Sequence, residues 1–338
     1  MIDVAETRPR VLSGMQPTAD SLHLGNYLGA LRQWVALQET YDAFFFVADL
    51  HSLTLDTDPE QRLHRTRVTA AQFLAAGIDP QRSTLFVQSH LPQHAQLAWV
   101  LSCLTGYGEA SRMTQFKDKI ARSGQAGANV GLLTYPILQA ADILLYRPAL
   151  VPVGEDQRQH LELTRDLAQR FNSRFADVFV VPEPYILRET AKIYDLAHPE
   201  DKMSGSVGGP GCVWLSDEPK TIEKRIRSAV TDTGREIAFD PVNKPGVSNL
   251  LTIASSMSGE SIESLVKRFA GAGYGDLKQE VATITLEWVV PFQERSRKWL
   301  DDSAALDEVL SLGAERASET AGAVLSAVYD AVGLLPSR

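Results

Sequence analysis

Four short stretches carry residue types that could do chemistry. His23-Leu24-Gly25-Asn26 lies where a strand and loop hand over to a helix. A helix start offers unpaired N–H groups and a positive dipole end, which favour a phosphate. Gly25 permits close approach, and His23 and Asn26 can hydrogen-bond phosphate oxygens; taken singly, the four residues also read as an ordinary helix start. Val151-Pro152-Val153-Gly154-Glu155-Asp156-Gln157 ends a short strand and opens a helix, the place where open parallel sheets bind ligands. Its acidic and amide groups could reach a ribose or an amino acid, or could simply sit at a positive helix end. Gln139 and Asp142, three apart on an otherwise apolar helix expected to open at Pro136, share one face. A carboxylate there needs a partner or a pocket, and a buried ion pair with an arginine is the structural alternative. Tyr135 precedes the proline and is expected outside α geometry. Lys202-Met203-Ser204-Gly205-Ser206 combines a cation, hydroxyls and flexible backbone. Such a loop could close over a triphosphate and offset transition-state charge, or could be a plain linker.

The elements that must position these groups are short β-type runs alternating with helical patterns. Val11-Leu12-Ser13, Phe44–Val47, Leu85-Phe86-Val87 and Val178–Val181 (ended by Pro182) read as strands; Phe44–Val47 has the continuous apolar character of a strand covered on both faces. Between them fall helices with apolar faces: Leu24, Leu28, Leu31 and Val35; then Leu63, Ala70, Phe73 and Leu74 after Pro59; then a helix around Gln93–Leu104. Strands separated by helices imply right-handed βαβ units and a parallel sheet. After Lys202 the period becomes helical almost throughout, with Ile222, Ile226 and Val230 on one face. The expected fold is α/β, with a parallel-sheet nucleotide-binding domain over 1–203 and a helical domain over 204–304. The last helix, about 305–335, is expected to pack back on the first domain.

The chain has 338 residues, 44% hydrophobic and 22% charged. That composition excludes collagen, a coiled-coil rod and a disordered tail. No apolar run reaches the roughly 18 residues of a membrane-spanning helix, and the acidic N-terminus does not read as a secretion signal. Two cysteines, Cys103 and Cys212, have no metal-ligand spacing and fit a reducing cytoplasm. The net charge of −9 argues against indiscriminate coating of nucleic acid. Within residues 205–300, however, 12 basic and 12 acidic side chains cancel, so this stretch could meet a polyanion without strong repulsion.

In this order, the four stretches resemble the bacterial tryptophanyl-tRNA synthetases, a family of class I aminoacyl-tRNA synthetases. Supporting segments are Ser13–Pro17, Ser111–Lys117, Lys224–Asp232 and Lys244–Leu251, so the likeness covers almost the whole chain. It implies a Rossmann-like catalytic domain, an anticodon-reading helical domain and a homodimer. The implied reaction activates L-tryptophan with ATP to tryptophanyl-adenylate and transfers it to tRNA(Trp). Carried over by position, the resemblance assigns ATP to Gln16, Pro17, Thr18, His23, Gly25, Asn26, Gly154, Glu155, Asp156, Ile193, Lys202, Met203, Ser204 and Ser206. His23, Asn26, Lys202, Ser204, Lys117 and Lys119 assist the chemistry. Tryptophan falls to His51, Tyr135, Gln139, Asp142 and Gln157, with Asp142 accepting the indole N–H. Mg2+ is expected through ATP, with no metal site on the protein. Gly205 departs from the family, which usually has a second lysine there; restoring that lysine is expected to leave activity equal or higher. Two rival readings are another HxGH-type nucleotidyltransferase, which would lack the long helical C-terminal region, and a non-catalytic paralogue binding tryptophan or RNA.

Overall fold

The computed structural model describes residues 8–55, 57–113, 129–154, 157–185, 192–205 and 209–335. Lys117, Lys119, Glu155, Asp156 and Ser206 lie outside them.

Five parallel strands form one sheet: β1 (Arg10–Met15), β2 (Asp42–Val47), β3 (Ser83–Val87), β4 (Leu150–Pro152) and β5 (Glu183–Tyr185), in the order β3-β2-β1-β4-β5. Register runs Leu12↔Phe44↔Thr84 across the first three strands and Val11↔Leu150↔Glu183 toward the other edge. Chain direction across the sheet reverses between β1 and β4, which opens a crevice at their carboxyl ends. Successive side chains of β2 alternate between two apolar layers: Ala43, Phe45 and Val47 enter one, Phe44 and Phe46 the other.

Helices connect the strands. α1 (Leu24–Asn26) runs through a π-helical turn, Tyr27–Leu31, into α2 (Arg32–Leu37). α3 (Asp49–Ser52) follows β2, and α4 (Pro59–Ala76) starts where proline needs no N–H, its cap Asp58 accepting from the Glu60 and Gln61 amides. Then come α5 (Gln93–Ser102), α6 (Tyr107–Ala110), α7 (Val130–Leu144) and α8 (Arg158–Arg174). Beyond residue 209 the regular elements are helices: α9 (Pro219–Arg227), α10 (Pro245–Ser258), α11 (Ile262–Arg268), α12 (Tyr274–Asp301) and α13 (Ser303–Val332). Among the described residues no helix is long and apolar enough to cross a membrane.

Four local expectations are corrected. Leu63 is 63% exposed, because the buried stripe of α4 begins only at Val68. Val230 lies beyond α9 and is also exposed, leaving Ile222 and Ile226 as that helix's buried pair. α7 starts six residues before Pro136 and contains Tyr135. Asn129 caps it by accepting from the Leu132 amide at 2.8 Å, and the proline forfeits only the bond to the carbonyl four residues back, a loss offset by burying Leu132, Pro136 and Ile137. Val178–Val181 is not a strand. The Asn172 side chain takes the amides of Val178 and Phe179 and donates to the Phe179 carbonyl, so the ladder with β4 begins after Pro182.

Among the described residues, the core of the helical region is continuous with one layer of the sheet. Leu250, Leu251, Val281 and Val289 share a continuous apolar layer with Phe45 and Leu85 of the sheet. α13 crosses the β3 edge: its Leu306 and Leu310 join that layer, while Ala317, Ala321 and Val324 join the opposite one.

Candidate active site

At the carboxyl end of β1, His23 caps α1 with extended backbone. Its Nδ1 accepts the Asn26 amide at 3.2 Å, while its own amide donates to Asn26 Oδ1 at 3.0 Å. The capping residue and its third neighbour thus satisfy each other reciprocally. With Nδ1 accepting, a neutral ring carries its proton on Nε2. His23 is buried, and its pKa is pushed down to about 4, chiefly by burial and further by the nearby Lys202 cation. Neutral imidazole therefore persists through physiological pH. The His23 Nε2–H and the side-chain Nδ2–H groups of Asn26 make no protein hydrogen bond among the described residues, which leaves two neutral donors at the end of β1.

The Lys202–Gly205 stretch lies against this turn. A Cβ on Gly25 would stand 3.0 Å from His23 Nδ1 and 3.5 Å from the Cβ of Met203, so glycine lets the two stretches meet. The Met203 amide donates to the Ile193 carbonyl, and both of these side chains are buried in the apolar layer. Ile193 and Met203 therefore position the stretch through packing, while Lys202 is exposed. Gln16, Thr18, His23, Asn26 and Gly205 line one cavity of about 40 Å³, room for a water or so.

Across the crevice, Gly154 ends the turn after β4, and the Gln157 amide donates to its carbonyl at 2.9 Å. Tyr135, Gln139 and Gln157 converge through His160. The Tyr135 hydroxyl is 3.2 Å from His160 Nε2, His160 Nδ1 is 2.8 Å from Gln157 Oε1, and Gln139 Nε2 donates to the same Oε1 at 3.4 Å. Tyr135 as donor and Nδ1–H on the histidine satisfy both ring nitrogens of His160 and Gln157 Oε1.

Asp142, 1% exposed, is held by three donors. Oδ1 accepts from Gln88 Nε2 at 2.8 Å and pairs with His94 Nδ1 at 2.7 Å; Oδ2 pairs with His51 Nε2 at 2.8 Å. Tyr146, also buried, reaches the far nitrogen of His94 at 2.8 Å. Burial alone would raise the Asp142 pKa, but hydrogen bonds from His51 and His94 prevail and hold it at about 2. The partners are histidines and an amide, so the arginine ion pair is excluded. His51 also sits edge-on to Tyr135, with ring centroids 6.2 Å apart, and thereby links Asp142 to the Tyr135–His160–Gln157 chain.

Sequence reasoning missed Gln88, His94, Tyr146 and His160. Gln88 had a usable signal, since it is the first residue after buried β3, at the ligand-binding edge. The other three carried none, because only packing brings them to Asp142 and Gln157.

The family model for class I tRNA synthetases of the W and Y type matches residues 5–289. Tryptophan–tRNA ligase 2 of Streptomyces avermitilis is 59% identical over 336 residues, covering 99% of this chain and 100% of that protein. Among solved structures, Mycoplasma pneumoniae tryptophanyl-tRNA synthetase aligns at a TM-score of 0.88 and 37% identity, over 97% of this chain and 99% of the other. The Campylobacter jejuni tryptophanyl-tRNA synthetase, solved with ADP and tryptophan, aligns at 0.82 and 35%, over 96% of this chain and 100% of the other.

Proposed function

This chain belongs to the class I tRNA synthetases for tryptophan and tyrosine, and we propose how its residues divide the reaction. The enzyme activates L-tryptophan with ATP to tryptophanyl-adenylate and passes the aminoacyl group to tRNA(Trp). ATP takes the crevice between β1 and β4. His23, Asn26, Gln16, Thr18, Lys202 and Ser204 face its phosphates; Gly154 runs along the ribose, and the Ile193 backbone borders the adenine. Glu155, Asp156, Ser206, Lys117 and Lys119 are assigned to the nucleotide by position in the sequence. Tryptophan takes the Asp142 side, with its ammonium at Tyr135 and Gln157, its ring beside His51 and Gln139, and its indole N–H on Asp142.

The observation that carries this reading is the ionised, buried Asp142 beside the carboxyl ends of the strands. A carboxylate held there by three donors keeps one lone-pair site for a further N–H, the group that separates indole from other aromatic rings. Catalysis is mostly positioning. The tryptophan carboxylate attacks the α-phosphate in line and diphosphate leaves. Neutral His23 donates to phosphate oxygens without exchanging a proton, and Lys202 offsets charge as it builds on the leaving group. Among the described residues no three His, Cys, Asp or Glu side chains are grouped to hold a metal ion; the nucleotide is proposed to enter as its Mg2+ complex.

We assign the anticodon to the helical region over 204–304 and catalysis to 1–203. The homodimer is supported by Trp99, Tyr107 and Val130, 72%, 78% and 75% exposed on α5, α6 and α7, the first two helices packing on the third; sedimentation as a monomer would remove it. A cytoplasmic location fits the two free cysteines, and recovery of the chain from a secreted fraction would contradict it. The site itself is tested by tryptophan-dependent ATP–diphosphate exchange. Lys202→Ala should lower kcat about a hundredfold or more, the scale of one preorganised contact, with little change in ATP binding. An unimpaired variant would return the Lys202 stretch to a linker.

A further inference from the structure

Trp214 stands outside every assignment above, yet it forms one wall of the cavity beside His23. Its backbone is fixed from several sides. His23 and Trp214 form an antiparallel bridge, flanked by the Leu24 amide donating to the Val213 carbonyl and the Leu215 amide donating to the Leu22 carbonyl, each at 2.8 Å. Gln293 of α12 donates to the carbonyls of Leu215 and Asp217 at 2.7 and 2.8 Å. Arg225 of α9 donates to the Cys212 carbonyl and pairs with Asp217, whose carboxylate accepts the Trp214 amide at 3.3 Å.

The indole is thereby carried to a definite place. It meets His23 edge-on, with centroids 5.8 Å apart and planes at 74°. A Cβ on Gly205 would stand 2.7 Å from Trp214 Cη2 and 3.3 Å from Cζ3. Gly205 does not adopt the left-handed backbone found at Gly77, Gly259, Gly271 and Gly333. What glycine supplies at 205 is therefore space. A lysine there is not accommodated with the ring in place, which is why the expected benefit of Gly205→Lys does not follow from this structure.

We propose that Trp214 is a positioning residue for the activation step: its ring and the bare Cα of Gly205 form one fitted unit that seats the Lys202 stretch against His23. The unit acts in two ways. It sets the height at which the backbone of residues 202–205 crosses the phosphate mouth, and it covers one side of the His23 ring with an apolar edge. This inference rests on the reading of the His23–Lys202 mouth as the phosphate site.

Gly205→Ala, Trp214→Ala and the double variant, in the full chain, test it by exchange kinetics with thermal unfolding as a control. Gly205→Ala should lower kcat by about ten- to a hundredfold, as a misplacement on the order of 1 Å does, with tryptophan KM unchanged. In the double variant the added methyl no longer meets a ring, so kcat should return to that of Trp214→Ala alone. Multiplicative losses in the double variant, or a Gly205→Ala enzyme with native kcat, overturn the inference. A change in tryptophan KM matching the fall in kcat/KM would also overturn it, because the unit would then act away from the phosphates. Lys202→Ala separates the two readings: native exchange in that variant removes the phosphate assignment, whereas loss of exchange together with multiplicative doubles removes only Trp214.

Discussion

Asp142 is an ionised carboxylate with almost no water around it, tolerable only because His51, His94 and Gln88 satisfy it. Asp142→Asn would replace acceptor lone pairs by an NH2 facing donors, and each unpaired buried donor costs about 1–3 kcal/mol. We expect a higher tryptophan KM, weaker discrimination against tyrosine and a lower unfolding midpoint without ligand. Native KM and selectivity would take Asp142 out of the pocket. Its pKa, held at about 2 against an ordinary 3.8, sets the sign of the pH effect. The carboxylate's stabilising contribution is complete above 3.8 and is lost as pH falls toward 2. His23 runs differently, because its folded pKa, about 4, lies below the ordinary 6.5. Between these values the unfolded chain binds the extra proton, so this residue weakens stability as pH drops from 6.5 to 4. Histidine NMR should show His23 neutral, with Nε2–H, at pH 6; a midpoint near 6.5 would contradict the burial argument.

Helix α9 is the element whose two sides divide most cleanly. Ile222 and Ile226 are buried, while Lys220, Lys224 and Arg227 are exposed, with Arg227 paired to Glu223 one turn back at 3.4 Å. Exposed pairs of this kind contribute little to stability, so the basic side can be removed without unfolding the helix. If it meets tRNA phosphates, the triple alanine variant keeps exchange and loses aminoacylation, with a salt slope shallower by as much as about three contacts. Equal aminoacylation by variant and parent would make this an ordinary solvated face. α7 shows the opposite case, in which packing overrides a local breaker. Pro136 marked a start in the sequence, but the Asn129 cap and the buried Leu132 carried the helix through it.

Across the whole molecule, α13 ties the C-terminal helices to the sheet. The crossing is possible because a Cβ on Gly313 would stand 1.7 Å from the Leu85 carbonyl oxygen of β3, so only glycine lets helix and strand touch there. Gly313→Ala should cost about 1–3 kcal/mol through overpacking, read as a lower denaturant midpoint. Gly322→Ala on the same helix, with nothing within 4 Å of the added carbon, is the control. It should gain up to about 1 kcal/mol of helix propensity. Equal midpoints for the two variants would mean α13 does not press on the sheet. Because α13 and α12 complete layers that begin on the sheet, the helical region and the catalytic half should melt as one transition.

The sequence by itself determined whatever depends on near neighbours. The Phe44–Val47 run marked a strand covered on both faces, Pro59 marked a helix start, and the order of the four chemical stretches was enough to mark the family and both edges of the crevice. The tertiary structure alone decided who partners whom. Asp142 receives Gln88, His94 and His51 from 54, 48 and 91 residues away. His160 gathers Tyr135 and Gln157, Trp214 reaches His23 and Gly205, and Asn172 turns Val178 and Phe179 away from the ladder. Periodicity and capping act over one or two turns of chain and leave a local mark. A buried polar partner is chosen by the packing of whole layers, since a desolvated carboxylate or imidazole must take whichever donor the fold brings to it.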